Sequence, residues 1–206
     1  MRRLSLILLV LMILLQFSLG STPIVGGIQF GINHTGFDKS SLPGLQFENT
    51  LNASHGVFIE VPFSSLLALR TSFLIANKGV FVKPNMQSVM KQRIYLSYFE
   101  VPLLIKLILP VQLDGLKPFL IGGPSFGFSV RNFFSHVQNG EEILYTRSQW
   151  NNNDGGVNLG VGFEGKHVSV FLQSYIGINK ITLDMDEFPV KNRSLSLVLS
   201  YAFQSR

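Results

Sequence analysis

Hydrophobic and polar residues alternate one by one along much of this chain. That is the period of a strand with an apolar medium on one face and a polar one on the other. Across residues 194–203, Leu195, Leu197, Leu199, Tyr201 and Phe203 share one face, and Ser194, Ser196, Ser200 and Ala202 share the other. Across 156–164, Val157, Leu159, Val161 and Phe163 oppose Asn158, Gly160, Gly162 and Glu164. Similar phasing runs through 24–33, 56–62, 67–78, 95–109, 117–131 and 168–178, which makes eight strands.

The connections alternate in length. Long polar stretches at 35–55, 84–92, 132–154 and 179–191 are separated by tight turns at 63–65, 111–115 and 165–167. Short turns on one side and longer loops on the other are the pattern of an outer-membrane barrel, and an even strand number puts both ends on the periplasmic side. The fold expected is all-β: an eight-stranded antiparallel transmembrane β-barrel behind a cleaved signal peptide.

The leader is read from Arg2 and Arg3, the apolar run 4–15 and the small residues Ser18, Gly20 and Ser21, with cleavage after Gly20. As a retained anchor, a run of about 12 residues would span only about 18 Å of a ~30 Å hydrocarbon core. Residues 1–20 are therefore assigned to the signal peptide and 21–206 to the barrel domain, which places the protein in the bacterial outer membrane. Removing the leader takes away Arg2 and Arg3, so formal charge falls from +5 to 15 − 12 = +3.

Composition narrows the choices further. Charged residues are 14% of the chain, against roughly 25% in soluble domains. The absence of Cys excludes a disulfide framework, a thiolate zinc site, a thiol nucleophile and a lipidated N-terminal cysteine. No basic stripe interleaved with aromatics is present, so nucleic acid is not an expected partner.

Charge also orients the wall. One face collects Gly, Ser and Asn with Glu60, Arg70, Lys78, Glu100, Lys106, Arg131 and Glu164, while the other is Leu, Val, Ile and Phe. A charge on the lipid face at midplane costs about 2–4 kcal/mol, so the charged face is assigned to the lumen. Glu60, Glu100 and Glu164 are expected to pair there with Arg70, Lys106 and Arg131. Such a network either packs the barrel or lines a path for ions or protons.

Several segments carry a resemblance. Tyr98-Phe99-Glu100-Val101-Pro102-Leu103-Leu104-Ile105-Lys106 resembles the "YLEIPLLLK" strand of the PorT-like outer-membrane β-barrel family, and Lys117-Pro118-Phe119-Leu120-Ile121-Gly122-Gly123-Pro124-Ser125 resembles its following "KPYLLAGPS" strand. Asn77-Lys78-Gly79 is similar to that family's "QKG". The stretch from Asn192-Arg193-Ser194 to Tyr201-Ala202-Phe203 is similar to its closing "NRxLSLxLGYxF". The resemblance spans nearly all of the mature chain and implies a Bacteroidetes-type envelope, with some members linked to type IX secretion and gliding. It brings no catalytic or cofactor residues. The chain departs from the pattern at Phe171 and Gln173, where charges are usual, at Ser200 in place of Gly, and at Gln204-Ser205-Arg206 beyond the closing aromatic.

No catalytic, cofactor or metal site is expected. His34, His55, His136 and His167 are placed in loops or turns; His34 and His55, with Ser40, Ser41 and Ser54 nearby, form the one arrangement suggestive of a lipid hydrolase, without an acid at a diagnostic spacing. Asp184, Asp186 and Glu187 are either a calcium loop or a solvated acidic one. Among loop residues, Phe37, Phe133, Phe134 and Trp150 are candidates for binding, or else anchors at the membrane interface.

The expected function is a non-enzymatic envelope barrel, structural or secretion-associated, that binds through its outer loops. The alternatives are a small passive pore and an outer-membrane lipid-modifying enzyme. The expected partners are outer-membrane lipid and other envelope or secretion-system proteins.

Overall fold

The computed structural model describes residues 24–39, 41–42, 45–84, 92–138, 141–146, 153–181 and 190–204. The leader assigned to 1–20 lies outside the described residues, as do Trp150 and the acidic group at Asp184, Asp186 and Glu187.

The strands in chain order are β1 (Val25–Phe37), β2 (Ser41–Leu42), β3 (Leu45–Pro62), β4 (Leu67–Pro84), β5 (Gln92–Ile108), β6 (Lys117–Gln138), β7 (Glu141–Thr146), β8 (Asn153–Glu164), β9 (Val168–Gly177) and β10 (Asn192–Ala202). Antiparallel pairing runs β1-β10-β9-β8-β6-β5-β4-β3, and β1 pairs again with β3, so eight strands close into a barrel. Closure leaves the ring no unpaired edge, which a sheet surrounded by lipid requires. The short β2 and β7 lie outside the ring, on β3 and β6.

Closure depends on a small residue where the first and last strands meet. Gly27 pairs with Ala202 of β10 and Phe58 of β3, and a Cβ on it would lie 2.1 Å from the Tyr201 carbonyl oxygen and 2.6 Å from the Phe58 ring.

The alternation in sequence becomes a division between outside and inside. Ile28, Phe30, Ile32, Leu159, Leu197 and Leu199 face outward, and Ile105 is 61% exposed. Arg70 and Lys106 face inward at 1% and 0%. Such a wall is stable only with hydrocarbon around it. Among the described residues no helix is long and apolar enough to cross a membrane; the crossing is made by strands.

The strands are longer than their hydrophobic pattern suggests. β1 runs to Phe37 and β3 begins at Leu45, so most of the connection expected at 35–55 is strand. Thr35 holds this polar stretch: its hydroxyl donates to the Gly79 carbonyl at 2.8 Å and accepts from the Asn52 amide at 2.6 Å. Likewise β6 continues to Gln138, and β7 and β8 take up much of the connection expected at 132–154. About 9–11 residues suffice to cross a bilayer. β3 to β6 have 17 to 22, while β8 to β10 have 10 to 12, so the wall rises much higher on one side.

Candidate functional site

The lumen is filled in layers. Toward the short turns, Glu60 of β3 and Arg70 of β4 are register partners, with Arg70 Nη1 3.3 Å from Glu60 Oε2. Lys106 of β5 reaches both ways, placing Nζ 2.8 Å from Glu60 Oε1 and 2.5 Å from Glu164 Oε2 on β8. Arg70 also donates to Gln29 Oε1 at 2.9 Å and Ser200 Oγ at 3.0 Å, and its guanidinium lies 3.7 Å from the centroid of Phe58. Glu60 and Glu164 thus offset Arg70 and Lys106 in one buried group, which is the condition for keeping four charges out of water.

A second group lies nearer the long loops. Lys78 of β4 places Nζ 2.9 Å from Glu100 Oε2 and 2.9 Å from Asp154 Oδ2 on β8. Ser125 donates to Glu100 at 2.7 Å, Asn192 donates to Asp154 at 2.9 Å, and the Tyr175 ring stands 3.6 Å from Lys78 Nζ. A cavity of about 30 Å³ beside Lys78, Glu100, Asn158 and Gln173 has room for about one water.

Above this the lumen turns apolar. Phe37, Phe47, Val80, Val82, Ile94 and Leu96 pack with Ile181 and Val190 from the last long connection. Phe47 reaches this position because the β3–β4 register shifts between Asn49 and Ser54, which turns inward a residue that strict alternation from Phe58 and Glu60 would turn outward.

A family model described as "Outer membrane protein beta-barrel domain" matches residues 16–183. The chain belongs to this family. As a member of the outer membrane protein beta-barrel domain family, it resides in the bacterial outer membrane. A comparison with curated proteins found no match. Among solved structures, it is similar to Ail, the attachment invasion locus protein of Yersinia pestis, with 10% identity, 88% of this chain and 100% of that one covered, and a TM-score of 0.43. It is also similar to OprG from Pseudomonas aeruginosa, with 13% identity, 88% and 94% covered, and a TM-score of 0.45. Neisserial surface protein A shows 14% identity, 88% and 100% covered, and a TM-score of 0.45.

Within this family barrel, Glu60, Arg70, Glu100, Lys106 and Glu164 all point into the lumen. Arg131 does not. Ser97 pairs with Arg131 and Tyr98 with Ser129, so Val130 is an extra residue and the bulge turns Arg131 to the outer wall. Its expected place beside an acid belongs instead to Lys78, which holds Glu100. Asp154, at the end of the connection expected at 132–154, is a lumen residue of β8. Extending the inward phase of Asn158 and Gly156 back by two residues reaches it.

The loop candidates are also redistributed. Phe37 is buried, edge-on to Phe47 with centroids 5.2 Å apart, and is no surface contact. Phe133 and Phe134 belong to β6, paired with Tyr95 and Ile94 of β5 and with β7, while their side chains lie outside the described residues. His34 and His55 are in strands and face outward, whereas Ser54 faces inward beside Asn33; His136 is also in a strand, β6. Ser54 and its neighbour His55 therefore project to opposite sides of the wall and cannot act together. Among the described residues no group of His, Asp or Glu could hold a metal ion.

Proposed function

We propose that this protein is a non-enzymatic envelope barrel of the PorT-like, Bacteroidetes type, exported by a cleaved leader. In this reading its lumen serves rigidity and its tall hairpins present a surface to other envelope or secretion-system proteins. The observation that carries it is the filled lumen: Lys106, buried between Glu60 and Glu164, with Lys78 between Glu100 and Asp154 above it and an apolar layer above both. This speaks against a passive pore, since an ion would have to break buried pairs, and leaving one buried partner uncompensated costs about 3–5 kcal/mol. The height of β3 to β6 supports a role outside the membrane, because those strands carry more residues than a crossing needs.

The test is conductance of the purified protein in planar bilayers, with surface crosslinking in intact cells. The reading predicts no single-channel steps, together with crosslinks to envelope proteins that vanish when residues 133–146 are replaced by a tight turn. Regular steps that change on Lys106→Gln would replace the scaffold with a pore.

A further inference from the structure

We propose that the outer wall over β1, β9 and β10 holds a site for the phosphate-bearing headgroup of an outer-leaflet lipid. On the low side of the barrel an open groove of about 460 Å³ is lined by His34, Asn49, Ser174, Ile176 and Arg193. Its volume falls within the range of small-molecule sites, about 300–1,000 Å³. The lining contains two basic side chains and no acid. Neither His34 nor Arg193 has an ion-pair or hydrogen-bond partner among the described residues, and both are exposed.

The two basic residues are held close by register. His34 pairs with Leu195 and Gly36 with Arg193, so His34 and Arg193 are diagonal neighbours on one face. Gly36 makes room for a third polar group, because a Cβ there would lie 2.1 Å from Asn49 Oδ1. Imidazole, guanidinium, amide and the Ser174 hydroxyl thus share one concavity, and a guanidinium binds phosphate oxygens through paired hydrogen bonds.

Position selects a lipid over a free anion. The groove sits where the outward apolar run ends on the long-loop side: Ile28, Phe30 and Ile32 precede His34 on β1, and Leu195, Leu197 and Leu199 follow Arg193 on β10. Long loops face outside in such barrels, so this boundary meets the headgroups of the outer leaflet. An amphiphile with its phosphate at Arg193 would lay its chains along Ile32, Leu195 and Leu197. Free phosphate would leave that apolar strip unused.

The proposal is tested with full-length mature protein in detergent, measuring retention of diphosphoryl lipid A, of its dephosphorylated counterpart and of inorganic phosphate by native mass spectrometry. The expected result is retention of lipid A, with the dephosphorylated form and Arg193→Gln each weaker by about tenfold or more, the scale of one charge-assisted contact. Arg193→Lys, which keeps the charge without the paired donors, and His34→Gln should each lose part of the binding, and Lys166→Gln at the opposite rim should change nothing. An unchanged boiling-dependent gel shift shows that each variant is folded, and should Arg193→Gln not assemble, His34→Gln and Arg193→Lys are read in its place. Equal retention of both lipids, or no loss in the Arg193 and His34 variants, would overturn the site. Retention of inorganic phosphate at the same concentration as lipid A would overturn the lipid assignment.

Discussion

Lys78 on β4 and Asp154 on β8 lie 76 residues apart and meet across the lumen with Nζ 2.9 Å from Oδ2. Their strands are not neighbours, since β5 and β6 stand between them in the sheet. The contact therefore ties opposite walls, where hydrogen-bonded pairing alone joins only adjacent strands.

Removing one member of that group should cost far more than a surface change. Lys78→Met leaves Glu100 and Asp154 buried without their cation, and breaking a buried pair from one side typically costs about 3–5 kcal/mol. The expected outcome is a lower denaturation temperature of the gel-shifted form. Lys166→Met, at an exposed turn, should leave it within experimental scatter.

The seam between first and last strands gives a sharper test. Gly27→Val would drive a branched side chain into the Tyr201 carbonyl oxygen and the Phe58 ring. Barrel closure should fail, read as loss of the boiling-dependent gel shift and degradation in the periplasm. Gly26→Ala, one residue away with nothing within 4 Å of the added carbon, should fold normally.

The bulge at Val130 has an accessible consequence. The chain contains no Cys, so single cysteines report cleanly. Arg131→Cys should react with a membrane-impermeant maleimide in intact cells, while Ser125→Cys, in the lumen beside Glu100, should not. Equal protection of both would mean that Arg131 is not on the water-facing part of the outer wall.

The apolar layer above the charges should matter for stability more than for sealing. Phe37→Ala removes an aromatic packed edge-on against Phe47, a change that costs about 3–5 kcal/mol in a closed core. Denaturant unfolding should shift accordingly. Bilayer conductance should stay absent, because the Lys78–Glu100–Asp154 layer below remains in place.

Much of this is legible in the sequence, because a membrane wall imposes a strict period of two. Leu195, Leu197 and Leu199 mark the lipid face, and Glu60, Arg70, Lys106 and Glu164 the lumen, from their alternation and charge alone. The period of two carries no signal where polar residues occupy both faces, as from Asn33 to Ser54. There strand and loop have the same composition, and what distinguishes them is the backbone pairing of residues 31–35 of β1 with 50–54 of β3.

Alternation along the chain and the spacing of turns were enough to determine an outer-membrane barrel of eight strands, its inside and its outside. The tertiary structure alone decided which charges meet, that Arg131 leaves the lumen, that Phe37 is buried in it, and that His34 and Arg193 share a groove. The physical reason is that side-chain phase is a local property, set residue by residue, whereas a bulge reverses it without any mark in composition. Partners across a lumen depend on stagger between strands that are remote in the chain, and no window of sequence contains both.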